Sequence, residues 1–371
     1  MSNLNNNDMP TVNINTVIDK LSLVYSKAIL NKIPLKKIPS VMLWGPPGVG
    51  KSQAIRQIGK EIELSTGKKV NIVDVRLLLF NPIDLRGIPT ANADKTLAVW
   101  LKPHIFNMDE SDKIVNILFL DEISAAPQTV QSAAYQITLD RVIGEHKLPD
   151  NCIVIAAGNR VTDKSVAYKM PKALANRLLH FDIEEDFDEW KKWAIRNGIN
   201  AKVVGFLTFK PTSLMYFDTG SDSLAFPTPR SWEMVSNLLN TISDNVIEMY
   251  DLISGIIGIG AATEFRSWSK LYDNLPKVED IFKGLNPPCP IKTDELYALI
   301  SSMVVYAMKH KDDMKQIAAS IRYINQFPAD FAAVVIKDYL AIEKDYKRKL
   351  MKLPEFMDFV RTKGKYLNGI I

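Results

Sequence analysis

The segment that most constrains this chain is Gly45-Pro46-Pro47-Gly48-Val49-Gly50-Lys51-Ser52, which follows an apolar run at 41–43 and opens a stretch of helical character. Glycines let successive backbone N–H groups turn toward one point, and a helix N-terminus adds its partial positive charge there. A glycine-rich loop ending in Lys-Ser between a strand and a helix fits the phosphate-binding loop pattern. On that reading Gly45 to Ser52 wrap the phosphates of ATP, Lys51 reaches the β- and γ-phosphates, and the Ser52 hydroxyl binds Mg²⁺. A turn with no ligand is the plain alternative, and it leaves the flanking strand and helix unexplained.

A second segment, Ile117-Leu118-Phe119-Leu120-Asp121-Glu122, reads as a buried strand that ends in two carboxylates. Adjacent side chains on a strand point to opposite faces, so the two acids take different tasks. Asp121 is expected to hold Mg²⁺ and Glu122 to polarise the attacking water. As a bare pair, the acids could equally cap the helix that begins near Ala126. A third apolar run, 152–157, ends in Gly158-Asn159-Arg160. That places an amide at the carboxyl edge of the sheet, where open α/β sheets bind ligands. Asn159 is then a candidate for orienting the water beside the γ-phosphate, or a turn asparagine.

Short apolar runs at 41–43, 70–75, 114–120, 152–157 and 178–183 alternate with helical segments, which argues for a parallel sheet flanked by helices. The pattern breaks between Pro82 and Pro103, where a loop or hairpin is expected, and Val17, Leu21, Val24 and Ala28 mark a helix ahead of the first strand. After Glu184 the apolar residues fall at helical spacing, and Pro287, Pro288 and Pro290 mark a turn before the last helices. Gly255, Gly258 and Gly260 are expected to permit close helix packing.

Composition narrows the function classes. Two cysteines, Cys152 and Cys289, do not make a disulfide scaffold, and His104, His146, His180 and His310 show no ligand spacing. A reducing compartment, no structural metal and a cytoplasmic location are expected. The Asn-rich residues 1–15 lack a secretory pattern and read as a disordered lead. The longest apolar stretch, near 252–262, is shorter than the roughly 20 residues of a membrane span, so no membrane partner is expected. A net charge of +4 is too mild to argue for nucleic acid, but its distribution is uneven. From Ala341 onward there are 8 Lys or Arg against 4 acids, and that difference of 4 equals the excess of the whole chain.

The order of these motifs, with Asp121-Glu122-Ile123-Ser124-Ala125-Ala126-Pro127-Gln128-Thr129-Val130-Gln131-Ser132-Ala133 at the centre, resembles the MoxR branch of the AAA+ ATPases over about residues 41–239. By this resemblance, Pro171-Lys172-Ala173-Leu174-Ala175-Asn176-Arg177 corresponds to the segment that supplies an arginine finger, with Arg177 as the finger and Arg160 and Arg141 as competitors. Thr228-Pro229-Arg230-Ser231 corresponds to the second sensor, which puts Arg230 on the nucleotide. The segment around 84–103 resembles the helix-2 insertion, and 141–148 a second hairpin. Leu178 departs from the family's more usual Phe.

The resemblance implies a P-loop α/β core with a parallel five-stranded sheet at 16–183, a helical lid at 184–262 and a helical C-terminal extension at 263–371. It further implies a homo-oligomeric ring, usually a hexamer, with ATP and Mg²⁺ between subunits. Such a ring would remodel a protein client, often together with a von Willebrand factor A domain protein. The rival reading is a nucleic-acid motor or restriction-type translocase that uses the basic tail. A binding scaffold that barely turns over conflicts with the intact Lys51, Asp121 and Glu122.

Overall fold

The computed structural model describes residues 9–160, 170, 175–216, 224–343 and 345–367. The chain divides between Glu185 and Asp186 into two compact units. The first runs β1 (Thr11–Val12), α1 (Ile14–Leu30), β2 (Val41–Trp44), α2 (Lys51–Thr66), β3 (Lys69–Arg76), α3 (Pro82–Arg86), β4 (Ile88–Ala91), β5 (Ala98–Leu101), β6 (Ile114–Asp121), α4 (Gln128–Asp140), β7 (Val142–Ile143), β8 (His146–Lys147), β9 (Cys152–Gly158) and β10 (Leu179–Ile183).

Six strands make one parallel sheet in the order β1-β10-β2-β9-β6-β3. The expected five are present. The sixth is β1, which corrects the reading of residues 1–15 as a disordered lead for its described part. Asp182 donates its N–H to Pro10 O at 3.2 Å, Glu184 donates to Val12 O at 3.2 Å, and Val12 packs against the core. Residues 1–8 of that lead lie outside the described residues.

The two-residue period of β6 sorts its side chains between two cores. Val115, Ile117 and Phe119 face one cluster with Ile55, Ile58 and Ile62 of α2 and Val17 and Leu21 of α1. Leu118 and Leu120 face the other, with Val130, Ala134 and Ile137 of α4. A strand buried on both faces is nearly continuously apolar, which is why 117–120 reads as an unbroken hydrophobic run; Asn116, buried in the same strand, donates to Asp109 O and Asn151 Oδ1. Each large apolar side chain so buried contributes about 1.5–3 kcal/mol. Both expected hairpins are present: β4 pairs antiparallel with β5 and β7 with β8. His146 Nε2 lies 2.8 Å from Trp100 O and links the two.

The second unit is helical: α5 (Phe187–Arg196), α6 (Ala201–Phe209), α7 (Pro229–Thr241), α8 (Tyr250–Ile257), α9 (Ile259–Ser269), α10 (Val278–Phe282), α11 (Thr293–Lys309), α12 (Met314–Tyr323), α13 (Ala329–Leu340), α14 (Tyr346–Leu350) and α15 (Pro354–Lys363). Trp232 is fully buried among Phe206, Phe265 and Leu239, and its indole N–H donates to Ser213 O at 2.8 Å. A second cluster joins α10 to α15 through Leu299, Met303, Ile321, Tyr339 and Phe356.

The glycine expectation is corrected. A Cβ on Gly255 or Gly260 would meet nothing within 4 Å, so neither serves close packing. Gly258 instead joins α8 to α9 at φ +82°, and a Cβ there would sit 2.8 Å from Ala225 O. No helix among the described residues is long and apolar enough to cross a membrane.

Candidate nucleotide-binding active site

The site is assembled where β2, β6 and β9 end side by side. β2 runs into the glycine-rich loop, and α2 starts at Lys51. Gly48 and Gly50 take φ +83° and +98°, left-handed conformations that other residues adopt at a cost. A Cβ on Gly45 would lie 2.9 Å from Ile183 O, so the loop can pass the end of β10 only as glycine. Lys51, 9% exposed, donates to Gly45 O at 2.6 Å, to Pro46 O at 3.0 Å and to Asn159 Oδ1 at 3.2 Å.

Ser52 Oγ donates to Asp121 Oδ2 at 2.9 Å. Two oxygens so placed form a hard, acidic donor set of the kind Mg²⁺ takes. Glu122 leaves the strand at φ +58°, and its N–H donates back to Asp121 Oδ1 at 2.9 Å. The five residues Lys51, Ser52, Asp121, Glu122 and Asn159 are therefore brought to one place, in chain order from three different strand ends.

The structure adds residues that motif reading passed over. Ser124, 2% exposed, accepts the Asn159 N–H on Oγ at 2.9 Å. Gln131, also buried, donates to Ala126 O at 2.9 Å and to Ser124 O at 3.3 Å, bracing the turn that follows Glu122. On the neighbouring strand the register sets Arg76 beside Asp121. Asp74, two residues earlier, has its carboxyl pushed above the usual range, chiefly by burial and then by the charge of Asp121, with Arg76 and Arg56 opposing. The signal available for Ser124 and Gln131 was their place in the stretch that carries the family resemblance, but nothing local gave their roles.

The arginines separate clearly. Arg141 donates to Cys152 O at 2.6 Å and to Ile38 O at 3.2 Å, and Arg160 pairs with Asp182 at 2.5 Å and donates to Ile183 O. Both are committed to their own fold. Arg177 is exposed, in the turn just before β10; residues 171–174 of its segment lie outside the described residues. Arg230 is exposed in the first turn of α7, in the second unit, behind the Thr228–Ser231 capping box.

A lysine and serine at the mouth of a glycine-rich loop, facing an acid pair at a strand end, define a P-loop nucleoside triphosphatase site. Residues 41–187 match the family described as "ATPase family associated with various cellular activities (AAA)". That stretch, which contains Lys51, Ser52, Asp121, Glu122 and Asn159, is an AAA ATPase domain, and the chain is an ATP-hydrolysing enzyme. No curated protein matches the sequence. Among solved structures, a point variant of RuvB from Thermotoga maritima is 16% identical, covering 79% of this chain and 83% of that one, with a TM-score of 0.36. PCH-2 of C. elegans is 13% identical over 68% of this chain and 66% of that one, with a TM-score of 0.33. NtrX from Brucella abortus is 11% identical over 94% and 67%, with a TM-score of 0.35. At these TM-scores the assignment rests on the family match and on the site itself.

Proposed function

We propose that this chain is a cytoplasmic, ring-forming, MoxR-like AAA+ ATPase that couples ATP hydrolysis to the remodelling of a protein partner. The observation that carries the reading is the joint placement of Lys51, Ser52, Asp121, Glu122 and Asn159, together with the one exposed arginine of the three finger candidates. Lys51 exchanges its loop carbonyls for the β- and γ-phosphates. Ser52 and Asp121 hold Mg²⁺, which neutralises phosphate charge when bound. Glu122 polarises the attacking water and Asn159 orients it. Arg177 reaches the ATP of the neighbouring subunit in a hexameric ring, and Arg230 reads nucleotide from the helical unit.

The linked hairpins favour a protein client over nucleic acid. Ile88, Val99 and Leu101 expose apolar surface on β4 and β5, the kind of patch that meets a protein. Part of the basic tail is engaged within the chain: Lys349 pairs with Asp312 and Glu343 at 2.8 Å each, Arg361 with Asp358 at 2.8 Å, and Lys363 donates to Asn325 O at 3.1 Å. A von Willebrand factor A domain protein is the expected companion. Salt-sensitive DNA or RNA binding that disappears when the exposed tail residues Arg348 and Lys352 are both changed to Glu would instead favour the nucleic-acid motor.

Subunit mixing tests the ring and the finger together. Arg177→Ala and Glu122→Gln should each bind ATP and be nearly inactive, because a trans finger is worth roughly 10³–10⁵ in rate. Mixed equally, the Arg177→Ala subunit keeps Glu122 and receives an intact Arg177 from its neighbour. About a quarter of the interfaces are then complete, and activity should return toward that fraction if sites fire independently. No recovery after verified exchange, where wild-type rings tolerate either mutant subunit, rejects the trans finger.

A further inference from the structure

Three groups link the phosphate loop to the turn that carries Arg177. Trp44, the last residue of β2 and the neighbour of Gly45, donates its indole N–H to His180 Nδ1 at 3.0 Å. The other ring nitrogen, Nε2, lies 2.7 Å from Ala175 O. The two rings are nearly parallel, 15° apart, with centroids 6.2 Å from each other. An indole N–H can only donate and a carbonyl can only accept. Nδ1 must therefore be the unprotonated nitrogen, and the proton sits on Nε2 and is given to Ala175. Every group in the chain has one role, so the imidazole is held in one tautomer and one orientation.

The register explains how the three meet. Parallel pairing of β10 with β2 sets His180 beside Met42 and Asp182 beside Trp44, which places Trp44 and His180 diagonally on one face of the sheet. Met42, Trp44, Leu178 and Ala175 belong to the apolar cluster on that face. Ala175 O also accepts the N–H of Leu178 at 3.2 Å, closing a turn with Arg177 inside it. The carbonyl that shapes the arginine turn is thus clamped from the residue preceding the phosphate loop. On the other side of Trp44, the Gly45 carbonyl accepts from Lys51 at 2.6 Å. Bonded groups thus join the residue before the phosphate loop to the turn that presents Arg177.

We infer that His180 is a positioning residue for the arginine finger, setting the Arg177 turn against the phosphate loop of the same subunit. The inference rests on the trans action of Arg177. It places the defect of a His180 variant in the site of the neighbouring subunit, although His180 bonds to a residue beside its own phosphate loop. A merely structural role, or one exerted through Trp44 on the subunit's own ATP, would place the defect elsewhere.

Mixed rings of the full chain decide where it lies. His180→Ala should keep ATP affinity by calorimetry within about twofold and lose about tenfold or more in kcat, the pattern of an interaction made only in the transition state. His180→Gln keeps one donor and one acceptor and should retain most of kcat; Trp44→Phe removes the donor alone and should resemble His180→Ala. The side of the defect is then read by complementation. His180→Ala should regain activity when mixed with Glu122→Gln, which supplies a well-placed finger, and should gain none when mixed with Arg177→Ala, which supplies no finger. The opposite pattern, rescue by Arg177→Ala and none by Glu122→Gln, puts the defect in the subunit's own site and overturns the inference. Rescue by neither partner, or a wild-type kcat in His180→Ala, overturns it as well. If His180→Ala does not fold, Trp44→Phe carries the same mixing test. Failure of the trans reading itself is seen separately, as an active Arg177→Ala or its failure to complement Glu122→Gln.

Discussion

Ser124→Ala is the perturbation that best tests whether the site is held by groups outside its motifs. The hydroxyl removed is buried and accepts the Asn159 N–H at 2.9 Å. Among the described residues Ser124 Oγ is the acceptor that this N–H meets, and a buried donor left without an acceptor costs about 1–3 kcal/mol. Part of that appears as lost stability of the first unit in urea. The rest appears in turnover, because Asn159 is free to move from the point where it meets Lys51 at 3.2 Å. A shift that weakens the transition state by about 1.4 kcal/mol lowers kcat about tenfold.

The assay is phosphate release at saturating ATP, with ATP affinity measured by calorimetry. The expected result is an unchanged affinity and a lower kcat. Ser124→Ala and Asn159→Ala combined should cost less than the sum of the two, since both act through one amide. Gly158→Ala offers an independent route to the same defect, because a Cβ there would sit 2.8 Å from Ser124 Oγ and 2.9 Å from Met42 Cε. A Ser124→Ala protein that is less stable but turns over at the wild-type rate refutes the reasoning, as does strict additivity with Asn159→Ala.

Lys51→Ala should weaken ATP binding, whereas Glu122→Gln leaves binding intact and stops turnover; equal loss of binding by calorimetry would sink this division. Burial pushes the Cys152 thiol up to about 12 from an ordinary 9.0, so it should resist alkylation in the folded chain at pH 8 and react only on unfolding. Because the folded state holds that proton more tightly than the unfolded state, Cys152 makes stability fall as pH rises from about 9 toward about 12, and Cys152→Ala should flatten that slope in urea titrations. Lys191 and Asp338 form a buried pair at 2.6 Å, and burial already raises the Asp338 carboxyl despite the lysine. Lys191→Met should therefore cost about 3 kcal/mol and Lys191→Met with Asp338→Leu should regain most of it, so a double variant as unstable as the single one contradicts this account.

What was legible in the sequence follows from the range of the forces involved. The phosphate loop and the acid pair are contiguous strings whose chemistry is set by neighbours, and the sheet declared itself through apolar runs. Strand β1 has only two residues, too few to show a period, and forms because Asp182 and Glu184 donate to it. Ser124 meets Asn159 across 35 positions, and Trp44 meets His180 across 136, so no local pattern reveals either bond. The tail shows the reverse limit. Its charge excess was countable, but Lys349 finds Asp312 across 37 positions, and a count along the chain cannot see that pairing.

The turn at Glu122 shows why the two adjacent acids separate so cleanly. Alternation along a strand was the expected reason, yet the backbone uses a stronger device and leaves the strand at Glu122 in a left-handed conformation. For a residue with a Cβ this costs about 1–2 kcal/mol. It persists because its surroundings over-determine it: the Glu122 N–H is held by Asp121 Oδ1 at 2.9 Å, Ile123 N–H donates to Ala157 O at 3.0 Å, Ala125 N–H donates to Glu122 O at 3.0 Å, and Gln131 holds the next carbonyls. Strain kept in place by so many bonds, at the point where two carboxylates must serve different partners, is what a site that needs that direction would retain. Asp121 then stays in the sheet beside Ser52 while Glu122 is turned out of it. The acids are held apart by Asp121 itself, through the Glu122 N–H, and by Gln131 behind the turn.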